Sequence, residues 1–260
     1  MKIEFHKYQG TGNDFIIIDN YHREVPLLTS KQIKFLCNRH FGIGADGLMF
    51  LNKKAGYDFE MLYYNSDGNE SSMCGNGGRC LAKFAHQSGI HKSSYLFCAI
   101  DGDHEAEIDI DGTVSLRMKD VDKVECHPGH TVINTGSPHF VKFAADVEEI
   151  DVVDSARGIR YSNTYAAEGI NVNFVETLNE DRIFVRTYER GVEDETLSCG
   201  TGVTAAALLS AHNDNGFNTV DVKTHGGNLS VEFNKVDEEH FTDIWLCGPA
   251  TFVFKGEVEV

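Results

Sequence analysis

The sequence predicts an α+β chain of two similar domains that face each other, and three observations carry that expectation. Its 260 residues suffice for two domains of about 100–150 residues each. Residues 59–77 recur at 184–202, with Phe59/Phe184, Tyr63/Tyr188, Glu70/Glu195, Cys74/Cys199, Gly75/Gly200 and Gly77/Gly202 identical and Ser71/Thr196 similar. The period is far longer than the ~20–50 residues of a solenoid repeat, so it reads as domain duplication. One residue shorter, Thr11-Gly12 aligns with Thr135-Gly136, each leading into an apolar run. Finally, mostly alternating strand patterns surround one central helical stretch per half, which is α+β rather than a doubly wound parallel sheet.

The elements follow in order. Residues 1–6 open straight into a strand pattern with no apolar leader. Ser30 caps a helix with Ile33, Leu36 and Cys37 on one face, ended by Gly42. Residues 78–88 place Leu81, Phe84 and Ala85 at helical spacing, stopped by Gly89, and residues 105–118 form a hairpin turning at Asp111-Gly112. Pro128 and Gly129 interrupt the strand pattern in 120–129, the expected link between halves. Residues 202–212 are a second alanine- and leucine-rich helix, running into Asn215-Gly216, and 219–233 a hairpin turning at Gly226-Gly227. The last strand, 251–260, follows Gly248-Pro249 and returns to the first half. The domains are thus 1–120 with 251–260, and 121–250, with the active site in the cleft between them.

Composition narrows the function. Forty acidic against 23 basic residues give a net charge of −17, which repels phosphate backbones and anionic lipid, so neither nucleic acid nor membrane is an expected partner. The longest apolar run, residues 95–100, is far short of the ~20 that a membrane helix needs. Seven cysteines fit no complete disulfide framework and read as reduced thiols in a cytoplasmic protein.

Cys74-Gly75-Asn76-Gly77-Gly78 and Cys199-Gly200-Thr201-Gly202 are the chemical centre. Each cysteine precedes glycines that open a helix, where unpaired N–H groups and the positive dipole end bind a carboxylate and favour thiolate. Two acid/base groups flanking one carbon are what stereoinversion requires: one removes a proton, and the other delivers one to the opposite face. Cys37, Cys98 and Cys247 lie in apolar runs and read as structural. Cys126-His127-Pro128-Gly129-His130 resembles a zinc fragment but lacks a partner cluster, so no metal is expected. Gly42-Ile43-Gly44-Ala45-Asp46-Gly47 matches G-x-G-x-x-G, but it follows a helix rather than a strand, so it reads as a bent loop near the cleft and not a nucleotide site. Asn13, Asn65, His139, Asn171 and the pair Glu189-Arg190 supply what a zwitterionic substrate needs: Arg190 for a carboxylate, Glu189 for an ammonium, amides for orientation.

The ordered set Gly10-Thr11-Gly12-Asn13-Asp14-Phe15, Gly42-Ile43-Gly44-Ala45-Asp46, Tyr64-Asn65-Ser66-Asp67-Gly68, Met73 to Cys80, Asn171-Val172-Asn173-Phe174, Tyr188-Glu189-Arg190-Gly191 and Ser198 to Gly202 resembles the diaminopimelate epimerase family from residue 8 to about residue 250. The resemblance implies barrel-like domains wrapped around their central helices and usually a homodimer. It also implies epimerisation of LL-2,6-diaminopimelate to the meso form without pyridoxal phosphate or any other cofactor, in lysine and peptidoglycan-precursor synthesis. Cys74 would be the proton donor and Cys199 the acceptor, with Glu189 and His139 supporting the thiols. Asn13, Asn65, Asn171 and Arg190 would hold substrate, and Gly75-Asn76 and Gly200-Thr201 would present backbone donors to the reacting carboxylate. Many members carry glutamine where Gly47 stands and asparagine where Ser137 stands. A proline-type racemase is the alternative of the same fold, and a metal-stabilised binding module with inert thiols the alternative of another class.

Overall fold

The computed structural model describes residues 1–211 and 215–260. The chain divides into two compact units, Met1–Leu116 with Gly248–Val260, and Arg117–Cys247.

In the first unit, β1 (Lys2–Gly10) and β2 (Asn13–Asn20) form a hairpin, α1 (Ser30–Cys37) follows, and β3 (Gly47–Asn52) and β4 (Phe59–Asn65) lead to α2 (Gly75–Gln87). β5 (Ser94–Ala99), β6 (Gly102–Ile108) and β7 (Val114–Arg117) complete the run. The second unit holds β8 (Val124–His127), β9 (His130–Asn134), β10 (Pro138–Phe143), α3 (Val152–Arg160), β11 (Asn171–Asn179), β12 (Arg182–Glu189), the short β13 (Asp194–Thr196), α4 (Gly200–Ser210), β14 (Gly216–Thr224), β15 (Gly227–Lys235) and β16 (Phe241–Gly248). β17 (Thr251–Glu259) returns to pair antiparallel with β1.

Strand pairing repeats between the units. β1–β2, β3–β4 and β5–β6 are antiparallel and β2–β3 and β4–β5 parallel. The same senses recur in β9–β10, β11–β12, β14–β15, β10–β11 and β12–β14. Each sheet wraps a central helix: α2 packs on β1, β2, β3, β4 and β6, and α4 on β10, β11, β12, β14 and β15.

Register corrects the sequence alignment locally. Leu48 pairs with Tyr64 and Val172 with Tyr188, so Tyr188 corresponds to Tyr64 rather than Tyr63. The offset through these ladders is 188 − 64 = 124, and it becomes 199 − 74 = 125 only at the cysteines. The extra residue therefore lies between β12 and α4. A one-residue slip moves a strand side chain to the opposite face, which sequence identity alone does not register.

Both faces of the inner strands are covered. In β2, Ile16 and Ile18 join Leu48 and Phe50 beneath Ile33, Leu36 and Cys37 of α1. The alternate residues Phe15, Ile17 and Met49 are also fully buried, on the face toward α2. In the second unit Phe140, Val172 and Phe174 pack with Val152 and Ala156 of α3.

Four local expectations change. The N-cap of α1 is Thr29, not Ser30: Thr29 Oγ1 accepts from Gln32 N, and the Gln32 side chain accepts from Thr29 N, a capping box. That helix stops at Cys37, because Asn38 is extended. α2 and α4 begin directly after their cysteines rather than at residues 78 and 202. The expected end of the second helix at His212 lies outside the described residues. The stretch read as a link contains β8, and α3 went unread despite Asp151 capping it onto Asp154 N.

Replacing Thr29 by Ala is expected to lower stability by about 1 kcal/mol in urea unfolding, whereas Ser30→Ala stays within about 0.5 kcal/mol of the parent.

Candidate active site

Each matched cysteine occupies the N-cap of its central helix in an extended conformation, with φ −97° at Cys74 and −106° at Cys199. Neither helix has an acidic side chain in its first turn. Their first N–H groups, which have no partner within a helix, and the positive dipole end thus stand ready for an anion. Glycines allow the close seating. A Cβ on Gly202 would stand 2.4 Å from Asn173 Oδ1 and 3.2 Å from Thr187 Oγ1, and one on Gly77 3.3 Å from Met49 Sδ.

In the first unit the structure brings Cys74, Asn13 and Asn76 together. Cys74 Sγ donates toward Asn13 Oδ1 at 3.6 Å, and Asn76 Nδ2 donates to the same oxygen at 3.4 Å. Asn13 follows the turn at Thr11 (φ 49°) and Gly12 (φ 84°), a left-handed pair that closes the β1–β2 hairpin. Buried Arg79 donates to Asn76 Oδ1 at 2.9 Å and to Gly75 O at 3.4 Å, fixing the helix start from below. Asn65 is exposed at the end of β4, opposite Gly47. A Cβ on Gly47 would lie 2.5 Å from the Tyr63 ring and 2.7 Å from Tyr64 O, so the space a glutamine would need is filled.

In the second unit Cys199 Sγ lies 3.5 Å from Thr201 Oγ1, and Thr135 Oγ1 donates to Thr201 O at 2.8 Å. Asn171, Arg190 and Ser137 form one group: Asn171 Nδ2 donates to Ser137 Oγ at 2.8 Å, Arg190 N to Asn171 Oδ1 at 2.8 Å, and Arg190 Nη2 to Ser137 Oγ at 3.3 Å. Ser137, at the position where many members carry asparagine, thus joins this group. Glu189 is half-buried, and its Oε2 accepts from Thr196 Oγ1 at 3.1 Å.

His139 is fully buried and pairs across the ladder with Asn171. Asn173 sets its tautomer. Thr187 Oγ1 donates to Asn173 Oδ1 at 2.9 Å, so the amide nitrogen faces His139 Nδ1 at 3.1 Å and Phe140 O at 3.1 Å. Nδ1 accepts, and the proton of the neutral ring resides on Nε2, which has no partner among the described residues. Burial, outweighing the Asn173 hydrogen bond, lowers the ring's pKa to about 3. Asn173 and Thr187 were missed as site residues, although Asn171-Val172-Asn173 placed two amides on one strand face at period two.

The remaining thiols differ. Burial pushes Cys37 and Cys80 up to about 12, and Cys98 is also raised by burial. None of the seven cysteines is in a disulfide. No three His, Cys, Asp or Glu side chains among the described residues are grouped to hold a metal, and no helix there is long and apolar enough to cross a membrane.

Comparison with known proteins shows the family and the fold. The family profile described as Diaminopimelate epimerase matches residues 5–124 and 131–253. The chain is 49% identical to the diaminopimelate epimerase of Flavobacterium psychrophilum over 97% of its own length and 99% of that protein. To that of Chlorobaculum tepidum it is 40% identical, over 96% and 98%. Among solved structures, a PhzF-family phenazine biosynthesis protein of Bacillus anthracis superposes with a TM-score of 0.72 at 15% identity, covering all of both chains. A hydroxyproline epimerase of Agrobacterium vitis gives 0.66 at 13% identity, over 99% of this chain and 92% of that one. At such identities these two structures share the fold.

Because native His139 refuses a proton that the unfolded chain takes up near pH 6.5, its contribution to stability is full above that pH. It is then lost progressively as pH falls toward 3. Ring-nitrogen NMR is expected to show His139 neutral at pH 5, with the proton on Nε2.

Proposed function

The chain belongs to the diaminopimelate epimerase family of cofactor-independent amino-acid epimerases, and we propose that it interconverts LL- and meso-2,6-diaminopimelate with Cys74 and Cys199 as its two acid/base groups. The observation carrying this reading is that both thiols cap the starts of the two equivalent central helices, where a reacting carboxylate is best received.

In the LL-to-meso direction the Cys199 thiolate takes the α-proton. The C–H electron pair remains on the α-carbon and is delocalised into the carboxylate, which the backbone donors at Gly75-Asn76 and Gly200-Thr201 stabilise. Cys74 then gives its S–H proton to the opposite face, leaving Cys199 as thiol and Cys74 as thiolate. Neutral His139 offers an Nε2–H donor to this chemistry, and Glu189 supports it on the same unit. Asn13, Asn65, Asn171 and Arg190 hold the substrate. Ser137 keeps Asn171 and Arg190 in fixed relation, which suits recognition of a distal amino-acid group that a proline-type substrate lacks.

The protein acts, in this reading, as a cytoplasmic homodimer in lysine and peptidoglycan-precursor synthesis. Its seven cysteines, none of them in a disulfide, suit a reducing compartment. On β17, Phe252, Val253 and Phe254 are 44%, 51% and 44% exposed, apolar strand surface of the kind that association covers.

Incubation with LL-diaminopimelate in D₂O without cofactor is expected to yield the meso isomer with deuterium at one α-carbon, and retention of most turnover by Cys74→Ala or Cys199→Ala would refute the two-thiol mechanism. Arg190→Met is expected to weaken substrate recognition by about 10- to 100-fold in kcat/KM, the worth of a charged hydrogen bond. Phe254→Asp is expected to elute as a smaller species in size-exclusion chromatography than the parent.

A further inference from the structure

The bent segment ending in Asp46-Gly47 takes no part in the proton transfers above, yet it delivers a carboxylate to Asn13. Asn13 Nδ2 donates to Asp46 Oδ2 at 2.5 Å, and Asp14 N donates to the same oxygen at 3.2 Å. The other oxygen, Asp46 Oδ1, accepts from Arg39 Nη2 at 2.6 Å. Arg39 is itself anchored on Asp14 through contacts of 2.9 and 2.7 Å, and Lys7 Nζ, buried, reaches Asp14 at 2.7 Å and also donates to Gly44 O. Burial alone would raise the Asp14 carboxyl, but hydrogen bonds from Arg39 and Lys7 hold it down at about 2, so the chain of alternating charges is intact at neutral pH.

An ionised carboxylate only accepts hydrogen bonds. Asp46 therefore selects the NH₂ end of the Asn13 amide and turns its carbonyl the other way, toward Cys74 Sγ and Asn76 Nδ2. A carbonyl oxygen also only accepts, so its contact with sulfur exists while the sulfur keeps its proton. We propose that Asp46, held by Arg39, is a positioning residue that orients the Asn13 carbonyl onto Cys74 and keeps that thiol in its protonated, proton-donating form.

The corresponding place in the second unit is built differently. Offset by 124, the place of Asn13 is taken by Ser137, whose oxygen serves Asn171 and Arg190. Cys199 instead meets a hydroxyl, Thr201 Oγ1, which can donate as well as accept. Charged and titratable groups near Cys74 besides those named include Arg79 and buried Cys80 on its own helix, and Asp101, which accepts from Met73 N.

The proposal rests on Cys74 being an acid/base group, and its test separates the two ideas. The full-length, substrate-free protein is alkylated with iodoacetamide across pH 6–10, and modification of Cys74 is followed by peptide mapping. In Asp46→Asn the Asn13 amide is free to turn its NH₂ toward sulfur, which favours thiolate. The midpoint of the Cys74 alkylation profile is expected to fall by about one pH unit. In the same variant kcat for LL-to-meso conversion is expected to fall about tenfold or more, with KM changed less. Arg39→Gln, which loosens Asp46 without altering it, is expected to move both readouts the same way by less, and it decides the matter if Asp46→Asn does not fold. An unmoved midpoint in the folded variants overturns the proposal, even where kcat drops, because a merely structural role would lower kcat alone. An active Cys74→Ala enzyme would instead remove the acid/base reading on which it rests.

Discussion

What surrounds each thiol depends on how closely a helix start can approach the strands beneath it. Gly77 and Gly202 stand where a side chain would press on Met49 or collide with Asn173. With glycine there, each central helix seats its N-terminus on the inner face of its sheet, and the strand residues of that face become the floor under the cysteine. The floors differ. By ladder register, Phe15 in the first unit answers to His139 in the second, and Met49 to Asn173. The first floor is mostly aromatic and apolar, with Tyr63 in the place of Thr187, and Asn13 presents its carbonyl to Cys74 from the side. The other contains a buried chain in which Thr187 donates to Asn173 and Asn173 to His139 Nδ1, leaving His139 Nε2–H as its one end without a partner among the described residues.

The same backbone pairing thus carries two unlike chemical environments, which suits the proposed division of roles between two residues of the same type. A cysteine pair with identical surroundings would share one preference for the proton. Here the first thiol faces a carbonyl oxygen and the second a hydroxyl.

Much of this was legible in the sequence for reasons that can be named. The duplication showed because Cys-Gly-x-Gly is rare enough to survive as a signal, and the hairpins because Asp111-Gly112 and Gly226-Gly227 have few other uses. Helical spacing alone starts these helices at residues 78 and 202, because glycine costs about 1 kcal/mol in a helix interior and Gly75 to Gly77 carry no apolar periodicity. Their presence is explained by packing, which propensity does not contain. α3 was missed although Asp151 marks its start and Val152 and Ala156 share a face, since a nine-residue helix with Gly158 inside gives a weak periodic signal. Asp46 was hidden for another reason. Its partners Asn13 and Asp14 lie in a different strand, and the glycine spacing around it drew attention to phosphate binding instead of to the carboxylate.

The return of β17 to β1 also has consequences for how the chain matures. The second unit is continuous in sequence, residues 117–247. The first unit is not: its opening strand pairs with β2 at once but gains its second antiparallel neighbour, β17, only after the whole second unit has been synthesised. Emerging from the ribosome, the second unit is able to close early, while the first waits with β1 unpaired on that edge until the final strand arrives. In the half that holds Cys74, the outer edge of β1 is then the last strand edge to be covered.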